Sequence, residues 1–209
     1  MNHVRVIAIA GASGSGKSFL AAALLLALKE VAPAKSVASL SLDAYYRDLS
    51  HLDIRDREQV NFDHPEALDL DLFAAQLNEL KQGVGVMRPR YNFSAHTRDP
   101  DLYFQAPTDF LIVDGLMLTA APSLRALYDL LVFVDTNPEL CFQRRLQRDI
   151  EQRGRTRASV KDFWEGRALP MFELFGASAA ADADLVLPGD LPIINSVNRI
   201  MSALGTGVS

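Results

Sequence analysis

The stretch Gly11-Ala12-Ser13-Gly14-Ser15-Gly16-Lys17-Ser18 fits the pattern Gly, four residues, Gly-Lys-Ser. An apolar run over residues 4–10 precedes it and reads as a buried strand; the Ala- and Leu-rich residues 19–31 follow and read as a helix. That strand–loop–helix setting makes a Gly-rich run a phosphate-binding loop. Glycine lets the backbone approach an anion closely, and a helix start offers free N–H groups and a positive dipole end. Lys17 is placed to reach the outer phosphates and the Ser18 hydroxyl to sit on Mg2+. These residues imply a bound nucleoside triphosphate. The acceptor of its phosphoryl group has to be sought elsewhere in the chain.

Four further groups of residues have chemical potential. Asp43 closes a short apolar run, 36–42, and is followed by Tyr45, Tyr46 and Arg47, which a plain turn does not require. The loop-like segment 89–98 holds Tyr91, Phe93, His96 and two arginines, a set suited to a flat, hydrogen-bonding ligand. Asp114 closes the apolar run 110–113, and an acidic residue there commonly holds Mg2+, directly or through water. Arg144, Arg145 and Arg148 form a stripe at helical spacing, with Arg153, Arg155 and Arg157 around Gly154. Cations on a movable segment suit closure over a triphosphate. His64, in Asn61-Phe62-Asp63-His64-Pro65, reads as a turn residue.

Elements must bring these groups together. Five short apolar runs (4–10, 36–42, 110–113, 130–134 and 185–187) alternate with helical patterns, predicting a doubly wound α/β fold with a five-stranded parallel core. Strand–helix–strand units cross over right-handed, and ligands bind beyond the carboxyl ends of the strands. Asp43 and the phosphate loop therefore open onto one crevice. A helix is expected from Pro65, with Leu68, Leu72, Ala75 and Leu80 on its apolar face, and another from Pro138 to about Gln152. A further helix is punctuated by Phe163-Trp164 and Pro170-Met171-Phe172 and ends near Gly176; a last one covers 194–204. The whole chain, 1–209, reads as one domain with a small insertion at about 84–105 and an Arg-rich lid at about 144–160.

The net charge of −5 argues against a general nucleic-acid binder. The single cysteine, Cys141, permits no internal disulfide and fits a reducing cytoplasm, the expected location. No apolar run is long enough to span a membrane. A guanine-reading Asn-Lys-x-Asp motif is absent, against a GTPase switch.

In order along nearly its whole length, the chain resembles the uridine kinase (uridine–cytidine kinase) family. The resemblance rests on the phosphate loop, Asp43-Ala44-Tyr45-Tyr46-Arg47, Asn61-Phe62-Asp63-His64-Pro65, Pro89-Arg90-Tyr91-Asn92-Phe93 with His96 and Arg98, Val113-Asp114-Gly115, and the arginine segment 144–155. It implies ATP (or GTP) as phosphate donor, Mg2+ as cofactor, a pyrimidine nucleoside as acceptor and a homo-oligomer, commonly a tetramer. It implies that Asp43 is the general base. Asp63 would hold the ribose hydroxyls with Arg145 and Arg155. Tyr91 and His96 would meet the edge of the base, and Phe93 its face. Arg148 and Arg153 would reach the triphosphate beside the loop residues. Asp114 stands where the family usually has Glu. Asn92, Phe163, Leu169 and 188–190 depart from the family pattern. Related kinases of pantothenate, phosphoribulose or nicotinamide riboside, and a non-catalytic nucleotide-binding module, are the alternatives.

Overall fold

A computed structural model describes residues 4–176 and 179–206. In chain order, β1 (Arg5–Gly11) and β2 (Val37–Ser41) come first. Four short strands follow: β3 (Val86–Arg88), β4 (Tyr91–Asn92), β5 (Thr97–Arg98) and β6 (Tyr103–Gln105). Then come β7 (Phe110–Gly115), β8 (Leu130–Asp135) and β9 (Leu185–Pro188). β1, β2, β7, β8 and β9 form one parallel sheet in the order β2-β7-β1-β8-β9, with the phosphate-loop strand at its centre. A central parallel strand is covered on both faces, which is why β1 and β7 are apolar without alternation. The register aligns Ser41 and Ile9 with Asp114, so three carboxyl ends stop level with one another.

Alternate residues of β1 feed two cores. Val6, Ala8 and Ala10 pack with Leu40, Leu111 and Val113 under the helix Leu70–Lys81, through Phe73, Leu77 and Leu80. Ile7 and Ile9 face the other way, onto Leu20, Leu24 and Leu28 of the helix Lys17–Val31 and Val197, Ile200 and Met201 of the helix Ile193–Ala203. Each fully buried Leu or Ile contributes about 1.5–3 kcal/mol. These residues hold the phosphate loop between a rigid strand and a rigid helix.

Two expectations are revised. The helix expected from Pro65 begins at Leu70 instead; Pro65–Ala67 makes only one tight turn. Leu68 must stay extended because it bridges to Tyr46, and the Asp69 carboxylate then caps the helix by accepting from the Leu72 N–H at 3.2 Å. Beyond the helix Arg157–Phe163 the chain winds on in wide turns over Trp164–Ala168 and Phe172–Gly176, on either side of Leu169–Met171. Pro170, which donates no N–H, lies between them.

The short strands pair antiparallel, β3 with β6 and β4 with β5, and project from the sheet. Two ties seat them. Gln76 accepts from the Tyr45 hydroxyl at 2.8 Å and donates to the Met87 carbonyl at 2.9 Å. Arg98 donates to the carbonyls of Tyr46 at 2.8 Å and Tyr45 at 3.2 Å. Among the described residues no helix is long and apolar enough to cross a membrane.

Candidate active site

At the phosphate loop, Lys17 Nζ donates to the Ala12 carbonyl at 3.2 Å, and the Ser15 N–H donates to the same carbonyl at 3.0 Å. Gly14 has φ +85°, and a Cβ there would lie 2.2 Å from the Cys141 carbonyl oxygen. The loop can rest on the helix Pro138–Arg153 only without a side chain at this position. Arg144 points away from the cleft and pins the loop from outside, donating to the carbonyls of Ser15 at 3.1 Å and Gly189 at 3.2 Å.

Ser18 Oγ donates to Asp114 Oδ2 at 2.6 Å, so a hydroxyl and a buried carboxylate stand side by side next to Lys17. No group of three His, Cys, Asp or Glu gathers as a metal cage among the described residues. Mg2+ usually takes only one or two protein oxygens and completes its shell with phosphates and water. The Ser18–Asp114 pair fits that pattern.

Asp43 sits in the tight turn Leu42–Tyr45 directly after β2, its N–H bonded to Ser41 Oγ at 3.3 Å. With Lys17 and Asp63 it lines one cleft of about 850 Å³. Burial raises the Asp43 pKa, with Lys17 pulling against it; burial lowers the Lys17 pKa, with Asp43 and Asp114 pulling against it. The carboxylate is thereby a stronger base than one in water.

The other end of the cleft is aromatic. Tyr46 packs against Phe62, Tyr91 and Phe93 at centroid distances of 5.5, 5.2 and 6.3 Å. His96 stacks on Phe62 at 4.8 Å and 19°, with φ +52°. The buried Tyr91 hydroxyl has no hydrogen-bond partner among the described residues, and burial pushes its pKa up to about 12. Burial, aided by Arg155, lowers the His96 pKa and so favours the neutral ring, which has one donor and one acceptor nitrogen. A flat heterocycle with mixed donors and acceptors meets both faces and edges here. Asp63, only 6% exposed, accepts from Arg145 Nη2 at 3.5 Å.

The arginines converge on Asp149, which is fully buried. Arg148 Nε donates to it at 2.9 Å, while Arg153, Arg145 and Arg155 lie 3.4, 3.6 and 3.7 Å away. Arg153 also lies over the Phe93 ring at 5.3 Å. Arg145, Arg155 and Arg167 surround the Phe163 ring at 4.9, 5.6 and 5.5 Å.

Ser13, Lys17, Ser18, Asp43, Asp63, Tyr91, Phe93, His96, Arg145, Arg148, Arg153 and Arg155 thus share one cleft, with Phe163 on its wall. Gly11, Ala12, Gly14, Ser15 and Gly16 supply the turn of the loop, and Asp114 stands behind Ser18. Arg98 does not line the cleft; it clamps the insertion to the turn that carries Asp43. Sequence reasoning assigned no role to Asp149, to Phe62 as the stacking partner of His96, or to Tyr46 at the centre of the cluster. Asp149 had a usable signal: arginines lie four residues away on each side of it along one helix.

A sequence profile of the Phosphoribulokinase / Uridine kinase family matches residues 6–191. The uridine kinase of Shewanella frigidimarina is 42% identical over 183 residues, covering 88% of this chain and 86% of that one. The uridine kinase of Shewanella baltica is 41% identical with the same coverage. Among solved structures, phosphoribulokinase from Rhodobacter spheroides superposes with a TM-score of 0.66 at 16% identity, covering 93% of this chain and 75% of that one. D-glycerate 3-kinase from Cryptococcus neoformans gives 0.64 at 19% identity, with 86% and 81% covered. At such identities these two structures speak for the fold alone.

Proposed function

The chain belongs to the Phosphoribulokinase / Uridine kinase family, and from that premise we propose that it transfers the γ-phosphoryl group of ATP to the 5′-hydroxyl of uridine or cytidine. One observation carries the reading. The anion loop with Lys17, the carboxylate Asp43 and the carboxylate Asp63 line the same cleft, with the aromatic cluster beyond them.

The chemistry follows from that order. The loop N–H groups and Lys17 hold the β- and γ-phosphates. Asp63, with Arg145 and Arg155, accepts and orients the ribose hydroxyls. Tyr91 and His96 meet the polar edge of the pyrimidine, while Phe93 and Phe62 bound its faces. The 5′-oxygen then lies between Asp43 and the γ-phosphorus. It forms the new P–O bond as the bond to the β–γ bridging oxygen breaks, and its proton passes to Asp43. ADP and the nucleoside monophosphate are the products. Ser18 and Asp114 would hold Mg2+, which supplies charge neutralisation on the phosphate oxygens when bound. Arg148 and Arg153 close on the triphosphate and exclude water as a competing acceptor. Positioning and charge neutralisation suffice, because phosphoryl transfer asks little covalent help of the protein.

The test is a panel of acceptors with labelled ATP: uridine, cytidine, pantothenate, ribulose 5-phosphate and nicotinamide riboside. Turnover with uridine or cytidine far above the rest is expected. Preferential use of any of the other three overturns the reading. The aromatic cluster, with His96 stacked on Phe62, favours a pyrimidine over the sugar and acid acceptors.

A further inference from the structure

Asp149 touches neither reacting atoms nor the loop, yet its side chain is fully buried among cations. A buried carboxylate must be paired, and the helix register does this: Arg145 and Arg153 are four residues away on either side. After Arg153 the chain turns through Gly154 at φ +63°, and the N–H groups of Gly154 and Arg155 both donate to the Asp149 carbonyl. That turn brings Arg155 back to the same carboxylate.

The two oxygens are divided. Oδ1 faces Arg148, at 2.8 Å from Nη2, and Arg153 at 3.4 Å. Oδ2 faces Arg145 at 3.6 Å and Arg155 at 3.7 Å, ion-pair distances longer than a hydrogen bond, and has no hydrogen-bond partner among the described residues. The first pair is the one proposed above for the triphosphate, the second the one proposed for the ribose. The second pair is also held on the Phe163 ring, and Arg145 continues to Asp63.

We infer that Asp149 is a positioning residue that couples the two substrate subsites, each oxygen holding the arginines of one of them. One negative charge is shared among four guanidiniums. A bound triphosphate draws Arg148 and Arg153 toward its own oxygens and leaves the carboxylate to Arg145 and Arg155. Those two tighten on Oδ2 and present Asp63 and themselves to the ribose in one geometry. Linkage makes the effect reciprocal, so a bound nucleoside favours the triphosphate by the same factor. The inference rests on the nucleoside-kinase reading.

Calorimetry on the full chain tests it. The dissociation constant of uridine is measured with and without a saturating non-hydrolysable ATP analogue and Mg2+. The wild type is expected to bind uridine at least about fivefold tighter with the analogue present, and Asp149→Asn to lie within about twofold of no difference. A folded Asp149→Asn chain that keeps the wild-type ratio, or a wild type with no ratio to lose, overturns the inference. Should Asp149→Asn fail to fold, Arg155→Gln decides, because that side chain is 29% exposed and Arg145, Arg148 and Arg153 still face the carboxylate. Its ratio is expected to fall by roughly threefold or more, and an unchanged ratio again overturns the inference. A wild type that binds neither uridine nor cytidine overturns the substrate reading and this inference with it. Binding with an unaltered ratio in the variants overturns this inference alone.

Discussion

At one end of the cleft a ligand would meet main-chain N–H groups together with Lys17 and Ser18; at the other it would meet side chains alone. The phosphate end is a single run of residues whose N–H groups are aimed by glycine dihedrals, braced by Arg144 from outside. The nucleoside end is assembled from Tyr46, Phe62 and Asp63, the β4–β5 hairpin and the arginine helix, which are far apart in sequence. The first depends on backbone conformation and on a few side chains, Lys17, Ser18 and Asp114, set against it. The second depends on the identity of its side chains. One end can therefore serve a whole family of kinases while the other selects the acceptor.

The strongest way to break this division is at the group standing between the ends. Asp43→Asn should cut turnover by about 10²–10⁴ while leaving ATP affinity unchanged by calorimetry. Because burial raises the Asp43 pKa, kcat/KM should fall with decreasing pH from a point above the ordinary carboxylate range, as the base takes up its proton. Asp43→Asn should abolish that acid limb; a limb that persists removes Asp43 from the reaction.

The side-chain end is probed next by the substrate. A 2′-deoxynucleoside leaves the buried Asp63 short of a partner, a loss of about 1.5–3 kcal/mol, or roughly ten- to a hundredfold in kcat/KM. Equal kcat/KM for cytidine and deoxycytidine would contradict it. The main-chain end is probed by Gly14→Ala. With φ +85° and the Cys141 carbonyl in the way, it should cost about 1–3 kcal/mol in denaturant unfolding. It should also weaken ATP binding and leave uridine binding intact. Equal loss of both ligands would erase the proposed separation. The smallest effect is expected from Tyr91→Phe: a rise in the KM for uridine of about two- to tenfold from one neutral hydrogen bond, with kcat and the KM for ATP unchanged.

The same division explains what could be read without coordinates. The phosphate loop and the strand-closing carboxylates Asp43 and Asp114 were legible because each is a local pattern joined to a rule about parallel sheets. Asp149 was hidden because its partners all looked like ligand-binding groups and an acidic residue on a basic helix reads as ordinary pairing. The stack of His96 on Phe62 joins two segments with no shared periodicity, so no window could contain it. The start of the helix at Leu70 rather than Pro65 was set by the Tyr46–Leu68 bridge, a tertiary contact that outweighs the local preference of proline.

Arg98 closes this line of thought. It fastens the β4–β5 hairpin to the Asp43 turn through the carbonyl oxygens of Tyr45 and Tyr46, pairs with the Asp69 carboxylate at 3.3 Å, and donates its own N–H to Asp48 at 3.0 Å. A hairpin of different sequence would keep this seat beside Asp43 if it kept an arginine at the same point, together with the carboxylates of Asp48 and Asp69 that receive it.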